Sequence, residues 1–104
     1  MTATAFLSVA PTIEDSMAPE VAKAVDALEE FDVEYETTPM GTIIEADDAA
    51  VLFEAAAAAH EAVDADRVST FLKIDDKRTA DHAGAAKVES VEEHLGREAT
   101  SRRE

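Results

Sequence analysis

The sequence has no cysteine and no tryptophan, and only 3 glycines and 3 prolines among its 104 residues. Without cysteine, disulfide bonds, thiol catalysis and thiolate metal sites are excluded. No stretch approaches the roughly 18 apolar residues of a membrane-spanning helix, and the N-terminus lacks a basic segment followed by an apolar one. We therefore expect a cytoplasmic protein without disulfides.

Basic residues are also scarce, with 9 lysines and arginines against 24 acidic residues and a formal net charge of −15. Such a surface repels phosphate groups, so nucleic acid and anionic membranes are not expected as partners. Two interpretations remain open. The acidic surface attracts a cationic ligand, or, as the wide spread of the acids favours, it reflects a halophilic protein adapted to salt near 1 M, where the Debye length is about 3 Å.

Hydrophobic residues make up 46% of the chain, which excludes general disorder. We expect a single domain over residues 1–104, with a frayed tail from about residue 97. Alternation predicts strands at 4–10, 33–38, 42–46 and 67–74. Helical spacing predicts helices from Ser16 or Met17 to Glu30, from Asp47 or Asp48 to Ala62, and from Ala85 to Leu95, with Gly96 ending the last.

This order of elements, βαββαβ with an additional C-terminal helix, predicts an α+β ferredoxin-like sandwich. Helices cover only one face of such a sheet. The other face would carry Phe6 and Phe71 beside polar groups. Because an exposed apolar face is a liability in a monomer, we expect a second subunit to cover it.

The segment from Thr37 to Glu45 is the strongest candidate for a ligand contact. Its turn Pro39-Met40-Gly41 joins two strands and crowds threonine hydroxyls, a thioether and a carboxylate into a short stretch. By texture alone, a purely structural turn is the favoured interpretation, because Pro-x-Gly turns are common and threonine suits strands. We interpret Gly41 as a requirement of backbone geometry.

Signatures of catalysis or metal binding are not found in the sequence. His60 and Asp64 are spaced to share a helix face, but two ligands are too few for a metal site. His82 and His94 suit a polar loop and a helix end. The charged run after residue 74 is typical of solvated surface, whereas Lys73 either guards a strand edge or pairs with a nearby carboxylate.

Four motifs, in this order along the chain, resemble the thiamine-binding protein family formerly called DUF77, which includes the tandem-domain YkoF-type proteins. They are FLSVAP at 6–11, TPMGTIIE at 38–45, RVSTFLKIDDKR at 67–78 and KVESV at 87–91. The resemblance covers nearly the whole chain. The sequence departs from the family pattern at Ala46, where glycine is usual, and at Lys77, where arginine is usual.

The resemblance implies a ferredoxin-like protein that forms dimers and commonly tetramers. It also implies a binder of thiamine or its hydroxymethylpyrimidine moiety that is not an enzyme and has no other cofactor. Met40 would contact the ring, and Glu45 would accept from the exocyclic amine or balance the thiazolium charge. The ligand-binding residues implied are Ser8, Thr38, Met40, Thr42, Glu45, Lys73 and Asp75.

Two alternatives come from other classes of protein. A protein-interaction or regulatory module would use the open sheet face and need no small-molecule pocket. An enzyme acting on cofactor precursors would need an acid-base pair, such as Glu45 with Lys73, at hydrogen-bond distance in a cleft.

Overall fold

A computed structural model describes residues 2–78 and 84–102 of the chain. His82 and the last two residues of the predicted frayed tail lie outside these residues. A short 3-10 turn, Leu28–Glu30, follows the first helix. The main elements are β1 (Ala3–Pro11), α1 (Ala18–Ala27), β2 (Glu34–Thr38), β3 (Gly41–Ala46), α2 (Ala49–Ala62), β4 (Val68–Asp76) and α3 (Gly84–Leu95).

The four strands form one antiparallel sheet in the order β2-β3-β1-β4. The predicted α+β ferredoxin-like fold with a C-terminal helix is therefore confirmed. Strand β4 extends beyond its predicted end at residue 74, because Asp75 and Asp76 pair with Thr4 and Ala3 of β1. Among the described residues, no helix combines the length and apolar character needed to cross a membrane.

The helix-covered face of the sheet contains the core. Alternate residues of β1 point toward α1 and α2, as predicted, and Leu28, Ile44 and Leu52 are almost completely enclosed. Alanines on α2 let this helix lie close to the strands, because a thin side chain keeps the two backbones near each other. Asp48 begins α2 by accepting a hydrogen bond from the Ala50 N–H at 2.9 Å, so the predicted cap is confirmed.

The open face of the sheet carries the other set of side chains. Phe6 and Phe71 meet edge to face, with ring centroids 5.9 Å apart, and Phe71 remains 59% exposed. Helix α3 lies beside this face and buries none of its residues. It is held by two polar contacts, from the Gly84 N–H to Glu45 and from Lys87 to Asp75.

Candidate functional site

A pocket of about 210 Å³ opens between α1 and the β2–β3 hairpin. It forms because α1 packs against β1 and α2 and approaches the edge strand β2 only weakly. The helix side of β2 is therefore left uncovered. One wall of the pocket is the apolar stripe of α1 and the residues at its two ends, Met17, Val21, Ala24, Val25 and Leu28. The other wall consists of the hairpin at 37–42 and of β1 at 7–10.

The polar feature of the pocket is a pair of threonine hydroxyls. Thr37 and Thr42 lie opposite each other on β2 and β3, with their oxygens 3.2 Å apart, so one donates to the other. Thr42 is only 5% exposed. A bond between two hydroxyls uses one of their two hydrogens, so the pair retains a donor and several lone pairs for a ligand.

Thr38 uses its hydroxyl to close the turn. Its Oγ1 donates to the Gly41 carbonyl at 2.7 Å and accepts from the backbone N–H groups of Met40 at 3.2 Å and of Gly41 at 3.3 Å. These contacts hold the two-residue loop Pro39–Met40 in place. Met40 is thereby carried to the rim of the pocket, where 80% of its surface is exposed.

Gly41 owes its identity to a close neighbour. Its φ of 159° is nearly extended, but a Cβ at this position would lie 2.6 Å from the Phe6 ring and 2.9 Å from the Leu7 carbonyl oxygen. The ring of Phe6 therefore lies directly across the first residue of β3. The sequence interpretation attributed Gly41 to backbone geometry, and its positive φ agrees with that; close packing from β1 is a second reason for the glycine that the sequence did not reveal.

The structure separates the predicted ligand residues into two groups. Thr38, Met40 and Thr42 line the pocket, and Ser8 borders it although strand alternation directs its side chain toward the open face. Glu45, Lys73 and Asp75 all lie on that open face. Within a single chain, the seven residues therefore do not line one common space.

Each carboxylate of the second group has a structural partner. Glu45 accepts from the N–H of Gly84 at the start of α3. Asp75 binds Lys87 rather than Lys73, and this hydrogen bond is the main reason that the pKa of Asp75 lies below its ordinary value. Strand β1 lies between Lys73 and Glu45, because Lys73 pairs with Phe6 and Glu45 with Thr4. The hydrogen-bonded acid-base pair required by the enzyme alternative is therefore not formed.

Two further residues of the RVSTFLKIDDKR motif, Thr70 and Arg78, form side-chain hydrogen bonds. His60 of α2 forms a hydrogen bond through Nδ1 to the hydroxyl of Thr70 on β4. Arg78 donates to Asp76 at 3.2 Å just beyond β4. The first contact joins α2 to β4, and the second holds the chain at the end of β4. The described residues contain no group of three or more histidines and carboxylates arranged to hold a metal ion.

Sequence reasoning missed the apolar walls and part of the polar floor. Val21 and Val25 follow the helical spacing of α1, and Leu7 and Val9 alternate along β1, so these patterns indicate core residues rather than walls of a pocket. Thr37 lies in the predicted hairpin but is not among the predicted ligand residues. The available signal was alternation, which places Thr37 and Thr42 on the same side of paired strands.

The protein is therefore an α+β protein of ferredoxin-like fold, with a small uncharged pocket between its first helix and its central hairpin. The sequence profile described as "Thiamine-binding protein" matches residues 5–92. The chain belongs to this family. It is 50% identical over 97 residues to a UPF0045 protein of Methanothermobacter thermautotrophicus, covering 88% of this chain and 98% of that one.

Solved structures agree with the assignment of the fold. The protein MJ1052 of Methanocaldococcus jannaschii superposes with a TM-score of 0.81 at 30% identity, covering 88% of this chain and 97% of the other. A domain described as DUF77 from Bacillus cereus superposes with a TM-score of 0.69 at 27% identity, covering 84% and 86%. The resemblance stated from the motifs is thus confirmed.

Proposed function

We propose that this protein binds thiamine or its hydroxymethylpyrimidine moiety, without chemical turnover, in the pocket between α1 and the β2–β3 hairpin. The observation that carries the proposal is the Thr37–Thr42 hydroxyl pair, which lies in a largely apolar pocket, exposed at Thr37 and nearly buried at Thr42. Membership of the family supports the class of ligand.

The chemistry of the pocket fits an aminopyrimidine ring. Such a ring needs apolar walls for its two faces and a few hydrogen-bonding groups for its edge. Leu7 and Val21 supply apolar walls, and the exposed thioether of Met40 supplies a soft contact that adapts to a ring. The threonine pair offers a donor and acceptors to the ring nitrogens and the exocyclic amine.

The absence of charge supports binding rather than catalysis. All described residues that line the pocket are apolar, carry hydroxyls or contribute backbone. General acid-base catalysis requires a titratable group within hydrogen-bond reach of the reacting atom. Glu45 and Lys73, the pair considered for an enzyme, lie on the other side of the sheet.

Titration calorimetry with thiamine and with hydroxymethylpyrimidine, in high KCl, tests this proposal. We expect both to bind and Thr42→Val to weaken both by about tenfold, because a ligand group would lose its partner in a buried setting. Thr4→Val, the same change on the open face, is the matched control and should leave affinity unchanged. Lack of heat and of thermal shift with both compounds at millimolar concentration would contradict the proposal.

We further propose that a second copy of the chain covers the open face. Phe71 on this face is 59% exposed and meets Phe6 edge to face, and an exposed aromatic surface of this kind is typical of a contact with another subunit. Light scattering in high KCl should give at least a dimer, and a monomer would favour a different protein partner for this face.

A further inference from the structure

The pocket is too small to enclose a two-ring ligand. Its volume of about 210 Å³ is below the about 300 to 1,000 Å³ of clefts that enclose drug-sized molecules. It also has no carboxylate to balance a positive charge. If thiamine is the ligand, the pocket holds its neutral aminopyrimidine, and the cationic thiazolium ring needs a second position.

A groove of about 460 Å³ adjoins the pocket and lies between α1 and the edge strand β2. The two spaces share Val21, Val25 and Thr37, so they lie side by side along α1. Thr37 belongs to both spaces and bonds the nearly buried Thr42. The remaining hydroxyl capacity of this pair is therefore located at their junction.

The groove has the chemistry that the pocket lacks. Asp26 and Glu29, one turn apart on α1 and its 3-10 extension, contribute two carboxylates, and the half-buried ring of Tyr35 contributes an aromatic surface. The hydroxyl of Tyr35 donates to Glu29, which fixes the ring and the carboxylate relative to each other. That hydrogen bond is the main reason that the pKa of Tyr35 lies above its ordinary value.

We propose that this groove, formed by Asp26, Glu29 and Tyr35, is a subsite for the cationic ring of a ligand whose neutral ring lies in the adjoining pocket. An aromatic face attracts a cation within about 6 Å, and a nearby carboxylate adds a countercharge. The inference rests on the proposed function and deepens it. It assigns the discrimination between the intact cation and the neutral pyrimidine to residues outside the quoted motifs.

The test compares the affinities for thiamine and hydroxymethylpyrimidine by calorimetry at fixed ionic strength. In the wild type, thiamine should bind more tightly. The double variant D26N/E29Q should lower the affinity for thiamine roughly 5- to 30-fold, the range of a cation held by aromatic and charged groups, and leave the pyrimidine unchanged. Y35L should act in the same direction, whereas Y35F keeps the ring and should retain most of the preference.

The control variant E54Q/E61Q removes the same charge from the exposed side of α2 and should leave both affinities as in the wild type. If both ligands bind and D26N/E29Q leaves their ratio unchanged, the subsite is wrong while the proposed function stands. If neither ligand binds, the proposed function itself fails. Equal weakening by D26N/E29Q and E54Q/E61Q would mean general electrostatic attraction and would also overturn the subsite.

Discussion

The two faces of this sheet are built from the same four strands but have different chemistry. On the helix side, alternate residues are enclosed by α1 and α2, and the space that α1 leaves over β2 is an uncharged pocket with hydroxyls at its base. On the open side, the aromatic pair Phe6 and Phe71 shares the face with Lys73, Glu45 and Asp75. Helix α3 lies beside this face, and none of its residues is buried.

This difference shows why a motif need not correspond to a site. Neighbouring residues of a strand point to opposite faces, so a contiguous run such as TPMGTIIE contributes to both sides of the sheet. Thr42 serves the pocket, whereas Glu45 anchors α3. One strand therefore lines the pocket on one face and carries the anchor of α3 on the other.

The largest effect is expected from the adjacent isoleucines of β3. Ile44 is fully buried on the helix side and Ile43 is partly exposed on the open side. Ile44→Ala should lower the free energy of unfolding by about 2–5 kcal/mol, because it leaves a cavity in the core. Ile43→Ala should cost clearly less in the isolated chain and should weaken association. Urea denaturation and light scattering at several protein concentrations measure the two effects.

The pair of isoleucines provides its own control, since the substitution is chemically identical at both positions. A cost at Ile43 that grows with protein concentration would support coverage of the open face by a second copy. Equal costs at both positions, independent of concentration, would contradict the division of the sheet into a core face and an interface.

The fold could be predicted almost completely from the sequence, because its signals are local. Alternation in β1 and β4 and the Asp48 cap each depend on neighbouring residues. The site could be predicted only in part. The position of α1 relative to β2, which creates the pocket, depends on packing between α1 and α2, and no spacing within the sequence reports it. For the same reason, the role of Glu45 at α3, which is 39 residues away, could not be inferred.

A smaller effect is expected at Gly41, the first residue of β3. Gly41→Ala should lower the free energy of unfolding by about 1–3 kcal/mol, since the new methyl group collides with the Phe6 ring and the Leu7 carbonyl. Chemical denaturation of a double-mutant cycle with Phe6→Leu measures how much of this cost comes from the ring. A smaller cost in the Phe6→Leu background is expected. An unchanged cost would assign the glycine to backbone conformation or to the Leu7 contact alone.

The smallest effect concerns how α3 is held against the open face. Because Lys87 depresses the pKa of Asp75 below its ordinary value of 3.8, the anchoring is complete above pH 3.8 and is lost as the pH falls through the lower folded value. Lys87→Met should bring the pKa of Asp75, measured by NMR titration, back toward 3.8 and reduce amide protection in α3. Lys77→Met is the control, since Lys77 is the weakest of the charges acting on Asp75. Equal shifts with both variants would show that general charge, rather than the Lys87 hydrogen bond, sets the pKa and holds the helix.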